Sequence, residues 1–145
     1  MSGVYLGFDF GLRRIGLAAG QDVTRSASPL ESVPARDGEP DWARIDAAVR
    51  EWAPRALVVG VPLHMDGKEQ PLTRRARDFV GALAARYGLP VHEADERLSS
   101  YEAEGMIAAA RAEGRRRRTR KGDVDRMAAS LILERWLALQ ADDDD

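Results

Sequence analysis

Asp9 stands within an apolar strand, expected over residues 3–10, that opens the stretch LGFDFGLRRIGLA, residues 6–18. Alternation along a strand puts Leu6, Phe8 and Phe10 on one side, with Gly7 and Asp9 on the other. Aspartate is disfavoured in strands. A buried carboxylate is costly unless it is paired or bound to a metal. Two further acids occupy comparable places. Glu96 ends an expected strand in VHEADERLSS, and Asp125 falls in the first turn of the expected last helix. There Asp125 shares a face with Ala129, Ile132 and Trp136, the face that should pack on a sheet. Asp123, just before it, is the expected N-cap. The three acids lie 87 and then 29 residues apart. Brought together, they would repel by roughly 1 to 4 kcal/mol per pair. A divalent cation turns that repulsion into coordination. Hard oxygen ligands without His or Cys select Mg²⁺ or Mn²⁺. Two such ions about 4 Å apart suit phosphodiester hydrolysis.

A second cluster has the opposite sign. Residues 111–122, RAEGRRRRTRKG, carry a net +6, which leaves −8 on the remainder of a chain whose total is −2. Such asymmetry points to a polyanion gripped at one place. Arg115, Arg116, Arg117, Arg118, Arg120 and Lys121 are the candidate nucleic-acid contacts, bracketed by Gly114 and Gly122 in an expected loop. His64 and His92 lack metal-ligand spacing and are expected as loop or packing residues.

The elements that must position these groups follow from periodicity. Strands are expected over 3–10, 14–19 and 26–33, the last at an edge because of Pro29. PARDGEP, 34–40, reads as a loop. DWARIDAAVREWA, 41–53, reads as an amphipathic helix with Trp42, Ile45, Val49 and Trp52 on its apolar stripe. ALVVGVP, 56–62, is a continuous apolar run of strand length, expected at the centre of a sheet. A helix opening at Pro71 follows, with Leu72, Ala76, Val80, Leu83 and Tyr87 inward and Gly88 at its end. A strand over 89–96, a helix over 99–113 capped by Ser99, and a last helix over 123–140 complete the pattern. Three strands in a meander, then alternation with helices, predict a mixed α/β sheet covered on both faces. Sites in such sheets form at the carboxyl ends of strands.

The bulk properties narrow the class. The chain has 145 residues and no cysteine, which excludes disulfides and thiolate metal sites. One domain over 1–140 is expected, followed by a disordered acidic tail at 141–145. No run of 18 apolar residues is present, and the N-terminus lacks the basic region of a signal peptide. A cytoplasmic protein without a membrane partner is therefore expected.

Four segments in fixed order resemble the YqgF/RuvX family of the RNase H-like superfamily: GFDFGLRRIGLA, VVGVPLHMDGKEQPLTRRARDFVGAL, DERLSSYEAEGM and KGDVDRMAASLILERW. Together they cover most of the chain from Gly7 to Trp136. The resemblance implies a five-stranded RNase H-like mixed sheet and a metal-dependent nuclease. The family is associated with maturation of the 5′ end of 16S rRNA, and was also named as a Holliday junction resolvase for its likeness to RuvC. Its acidic positions fall on Asp9, Glu96 and Asp125, the triad reached above. Structured RNA and branched DNA are the substrates it implies. A resolvase needs two active sites, so that reading calls for a homodimer.

Plainer roles stand beside these. Asp9 opens the turn at Phe10–Gly11, Glu96 pairs with Arg97, Asp125 complements the helix dipole, and the arginine run is a solvated loop. Gly7, Gly11 and Gly16 are either turn and packing glycines or openings for a phosphate backbone near Asp9. A nucleic-acid-binding assembly factor without turnover is a further functional class. A phosphate-loop kinase, suggested by DFGLRRIG, needs a second nucleotide-gripping domain for which the length leaves no room.

Overall fold

The strands around Asp9 combine small and β-branched residues with Leu and Phe and fill both faces of one sheet. The computed structural model describes residues 3–63, 67–95 and 121–143, with side chains over 124–140 in the last of these. β1 (Val4–Asp9), β2 (Arg14–Gln21) and β3 (Ser26–Arg36) form an antiparallel meander. β4 (Glu39–Pro40) is a two-residue strand on the far side of β3. β5 (Ala56–Val61) runs parallel to β1, and β6 (Val91–Asp95) runs parallel to β5. The spatial order is β4-β3-β2-β1-β5-β6.

The sheet therefore has six strands where five were expected. The difference lies in PARDGEP, which is a hairpin and not a loop. Asp37 and Gly38 both have positive φ, 49° and 83°. An Asp-Gly pair is the sequence best suited to two successive left-handed residues, and it folds Glu39 and Pro40 back onto Ala35 and Arg36.

Helices cover both faces, as expected. α1 (Trp42–Trp52) and α2 (Pro71–Tyr87) lie on one side; α3 (Lys121–Asp143) lies on the other. α1 ends where Ala53 turns left-handed, and α2 ends at Gly88 with φ 64°. The core on the α1/α2 side holds Leu6, Phe8, Ile15, Leu17, Leu57 and Val59 from the strands, with Ile45, Phe79 and Leu83 from the helices. The expected stripes hold except at Trp52: Ile45, Ala76 and Leu83 are buried, and Trp42, Val49, Leu72, Val80 and Tyr87 pack against the core. Ala48 and Phe79 are buried, while Trp52 is exposed at its edge. Thr73 is also buried and donates to the Pro62 carbonyl, so its hydroxyl is satisfied. β5 is buried along its whole length, as a central strand must be.

One polar clamp ties α1 to α2. Arg86 donates to Asp46 through Nε and Nη2, both at 2.8 Å, and the Tyr87 hydroxyl donates to Asp46 at 2.6 Å. The Arg86 bonds, then that of Tyr87, hold the Asp46 carboxyl well below the usual carboxylate range. Burial, then the Asp46 carboxylate, pushes the Tyr87 hydroxyl up.

α3 starts two residues earlier than expected, at Lys121, so Asp123 lies inside the helix and is not its cap. Its backbone stays helical through Asp143, past the point where a tail was expected to begin. The helix expected over 99–113 lies outside the described residues. No described helix is long and apolar enough to cross a membrane.

Candidate active site

Asp9 is the last residue of β1, on the α3 side of the sheet with Tyr5 and Gly7. It pairs with Gly16 of β2 on one side and Gly60 of β5 on the other. Gly16 pairs onward with Ser32, and Gly60 with Ala94. Directly paired residues project from the same face. The row Ser32–Gly16–Asp9–Gly60–Ala94 thus gives Asp9 a neighbour without a side chain on each flank. It crosses the sheet near the carboxyl ends of the parallel strands β1, β5 and β6, where sites of this architecture form.

Glycines bring α3 down onto this face. A Cβ on Gly7 would lie 2.9 Å from the Leu133 Cβ and 3.1 Å from the Ala129 carbonyl oxygen. A Cβ on Gly20 would lie 2.9 Å from the Leu133 Cδ2. A Cβ on Gly16 would lie 2.0 Å from the Asp125 carbonyl oxygen, closer than any side chain permits. Helix backbone therefore occupies the space above Gly7 and Gly16, which decides between packing and an opening for phosphate. Gly11 serves the turn, where a Cβ would meet the Arg14 carbonyl oxygen at 2.5 Å. The helix runs along the channel with Trp136 against Tyr5, their ring centroids 5.4 Å apart, and Leu133 between Gly7 and Gly20. Asp125 rests on Gly16. Ala129 and Ile132 are buried on the same face, as expected.

Asp9 and Asp125 are thus both seated at Gly16, one paired across the strands and one pressed from above. A third charge joins them. Arg14, two residues before Gly16 and on the same face, donates from Nε to the Asp125 Oδ2 at 2.7 Å. The side chains of this pair are 36% and 22% exposed. The sequence reading did not single out Arg14. Its signal was available: a cation at i−2 from the glycine opposite Asp9 must share the face of the acid.

Glu96 lies one residue beyond the described part of β6, so its place relative to the two aspartates is outside the described residues. The same holds for Arg115, Arg116, Arg117, Arg118 and Arg120, and for His64. Lys121 is the first residue of α3, with its side chain outside the described set. His92 packs its ring on Trp136 at 4.8 Å between centroids, the packing role expected of it. Among the described residues no group of three metal-ligating side chains comes together. Among the described residues the acids seated at Gly16 are Asp9 and Asp125, which offer carboxylate oxygens, and Asp125 accepts from the Arg14 guanidinium. That set fits a hard divalent cation and is unsuited to a soft one.

The family model described as "RuvX: Holliday junction resolvase" matches residues 3–139. A protein of Edwardsiella ictaluri is 50% identical over 135 residues, covering 93% of this chain and 94% of its own. One from Azotobacter vinelandii is 48% identical over 140 residues, covering 95% and 96%. Both carry the name "Putative pre-16S rRNA nuclease". Among solved structures, Thermus thermophilus RuvC in complex with a Holliday junction substrate superposes with TM-score 0.58 at 20% identity, covering 96% of each chain. The yeast mitochondrial Holliday junction resolvase gives 0.55 at 11% identity, covering 94% of this chain and 78% of its own. These likenesses establish the RNase H-like fold. The glycine-lined seat for two aspartates and the matched 3–139 together place the chain: it belongs to the RuvX family, whose members are nucleases.

Proposed function

We propose that the protein is a divalent-metal-dependent nuclease that hydrolyses phosphodiester bonds at the 5′ end of pre-16S rRNA in the cytoplasm. Residues 1–140 act as a single nuclease domain in this reading. The observation that carries it is the seating of Asp9 and Asp125 at Gly16, at the carboxyl ends of the parallel strands. The rRNA substrate comes from the names of relatives about half identical along nearly their whole length.

Asp9, Asp125 and Glu96 are assigned as the ligands of Mg²⁺ or Mn²⁺. Two such ions, when bound, supply an activated water and neutralise charge on the leaving oxygen. The chain's own task is to hold the carboxylates in place: backbone contact at Gly16 seats both residues, and Arg14 bonds the Asp125 side chain. A binder without turnover gains nothing from two aspartates seated at one glycine. Arg115 to Arg118, Arg120 and Lys121 are assigned to the phosphate backbone.

The second reading is resolution of Holliday junctions, favoured by the description of the matching family. It calls for a homodimer with one site per strand.

The test is cleavage of precursor 16S RNA, single-stranded RNA, a four-way DNA junction and duplex DNA under Mn²⁺ and Mg²⁺. Cutting of the precursor RNA ahead of the other substrates, abolished by EDTA and restored by either ion, is the expected outcome. Undiminished cutting in excess EDTA would exclude the metal mechanism. Cutting of the junction with the RNA spared would transfer the assignment to the second reading.

A further inference from the structure

Two arginine–aspartate pairs in this protein differ in form. Arg86 engages Asp46 with two nitrogens, the forked geometry that fixes one helix to another. Arg14 engages Asp125 with Nε alone. Its terminal nitrogens make no hydrogen bond to another described residue, and its side chain is 36% exposed. A partly exposed, single-point ion pair contributes little to stability. Its position explains more. Arg14 shares a sheet face with Gly16, and Gly16 carries Asp125 above it and Asp9 beside it. Arg14 therefore stands at the rim of the acidic site, with only its Nε engaged by Asp125.

We propose that Arg14 both positions Asp125 and grips a phosphate of the bound strand. Nε holds the carboxylate in its rotamer. The terminal nitrogens, presented as a planar fork, take a phosphate oxygen next to the bond that is cut. A guanidinium can do both at once because its donors diverge in one plane; an ammonium is a single point charge and cannot bridge two anions in fixed geometry. The pair also offsets part of the repulsion between Asp9 and Asp125 before any cation arrives. This inference rests on the nuclease reading and names a residue of the same site.

The test separates gripping from positioning. Binding of a single-stranded RNA oligonucleotide and of duplex DNA is titrated against salt in excess EDTA, so cleavage does not enter. Arg14→Gln keeps most of the stem and an amide donor group but loses the charge. Its slope of log affinity against log salt should flatten by about 0.7 for the single strand and about 0.9 for the duplex, the loss of one phosphate contact. Arg14→Lys should keep the wild-type slope while losing about tenfold to a hundredfold in cleavage under Mn²⁺, as a misplaced carboxylate would cause. Far-ultraviolet circular dichroism confirms that both variants fold. A wild-type slope in Arg14→Gln, or wild-type cleavage by Arg14→Lys, overturns the proposal. The nuclease reading is judged separately, on whether the unmodified protein cuts at all.

Discussion

Asp9 and Asp125 reach the same glycine by different routes, and their substitutions should differ accordingly. Asp9 ends a strand held on both sides by pairing with Gly16 and Gly60. Its replacement by Asn keeps size and leaves that pairing intact. Asp125 is held by Arg14 through a charge-assisted bond that an amide can still accept, though more weakly. Both Asp9→Asn and Asp125→Asn are expected to abolish cleavage under Mg²⁺ and Mn²⁺. Asp9→Asn should leave the thermal midpoint near that of the unmodified protein; Asp125→Asn should lower stability by no more than about 1 kcal/mol, the limit for a partly exposed pair. Cleavage assays with parallel thermal melts check both. Full activity of purified Asp9→Asn protein would end the carboxylate model. The acids themselves were legible in the sequence, because an aspartate in an apolar strand needs a reason. Arg14 was legible only as far as its face: its i−2 spacing from Gly16 puts it on the side of Asp9, but nothing local marks the partner 111 positions away.

The elements were legible to the degree that each depends on its own residues. The all-apolar 56–62 run gave a central strand, since no other environment hides both of its faces. The hairpin at Asp37–Gly38 was missed because Pro34 and Pro40 were read as loop residues. Pro40 tolerates a short outer strand that asks little of its missing N–H. Trp52 was placed inward by spacing alone, yet α1 settles on Ile45 and Ala48. The contact between α3 and the sheet shows where sequence and packing meet. Helix backbone or Leu133 comes close at Gly7, Gly16 and Gly20. Gly16→Ala would set a methyl 2.0 Å from a backbone oxygen, so the helix itself has to move. We expect a loss of about 1 to 3 kcal/mol, the usual cost of overpacking, together with loss of cleavage because Asp125 rides on that oxygen's residue. Gly81→Ala is the control. Nothing lies within 4 Å of a Cβ there, on an exposed turn of α2. That change should stabilise by about 0.5 to 1 kcal/mol and leave cleavage unchanged. Urea denaturation of the two variants, with activity on the same preparations, decides the matter. A Gly16→Ala protein as stable and active as the unmodified one would show that the helix seat is not what fixes Asp125.

At the scale of the whole molecule the governing fact is charge distribution. A chain of net −2 carries +6 within residues 111–122. The body of the protein therefore repels a polyanion except where that segment lies, and where metal offsets the carboxylates. Lys121 opens α3, and Asp125 follows four residues later in the same helix. The end of the basic run is thereby joined by one turn of helix to the acidic seat at Gly16. Arginine dominates the run, which suits forked contact with phosphate, and no aromatic residue is present to stack on bases. The segment should then add affinity without reading sequence. If four of its charges touch phosphates, they account for a salt slope of about −3 on single strands and about −4 on duplexes. Replacing Arg115, Arg116, Arg117 and Arg118 by alanine should flatten the slope by that amount and weaken all nucleic acids alike. Folding free energy should change by no more than about 0.5 kcal/mol if the run is the exposed loop that its sequence leads us to expect. Salt titrations in excess EDTA, run on RNA and DNA of matched length, read the slope directly. An unchanged slope would make these arginines a solvated run. A loss confined to one sequence would mean that the segment reads bases, against its composition.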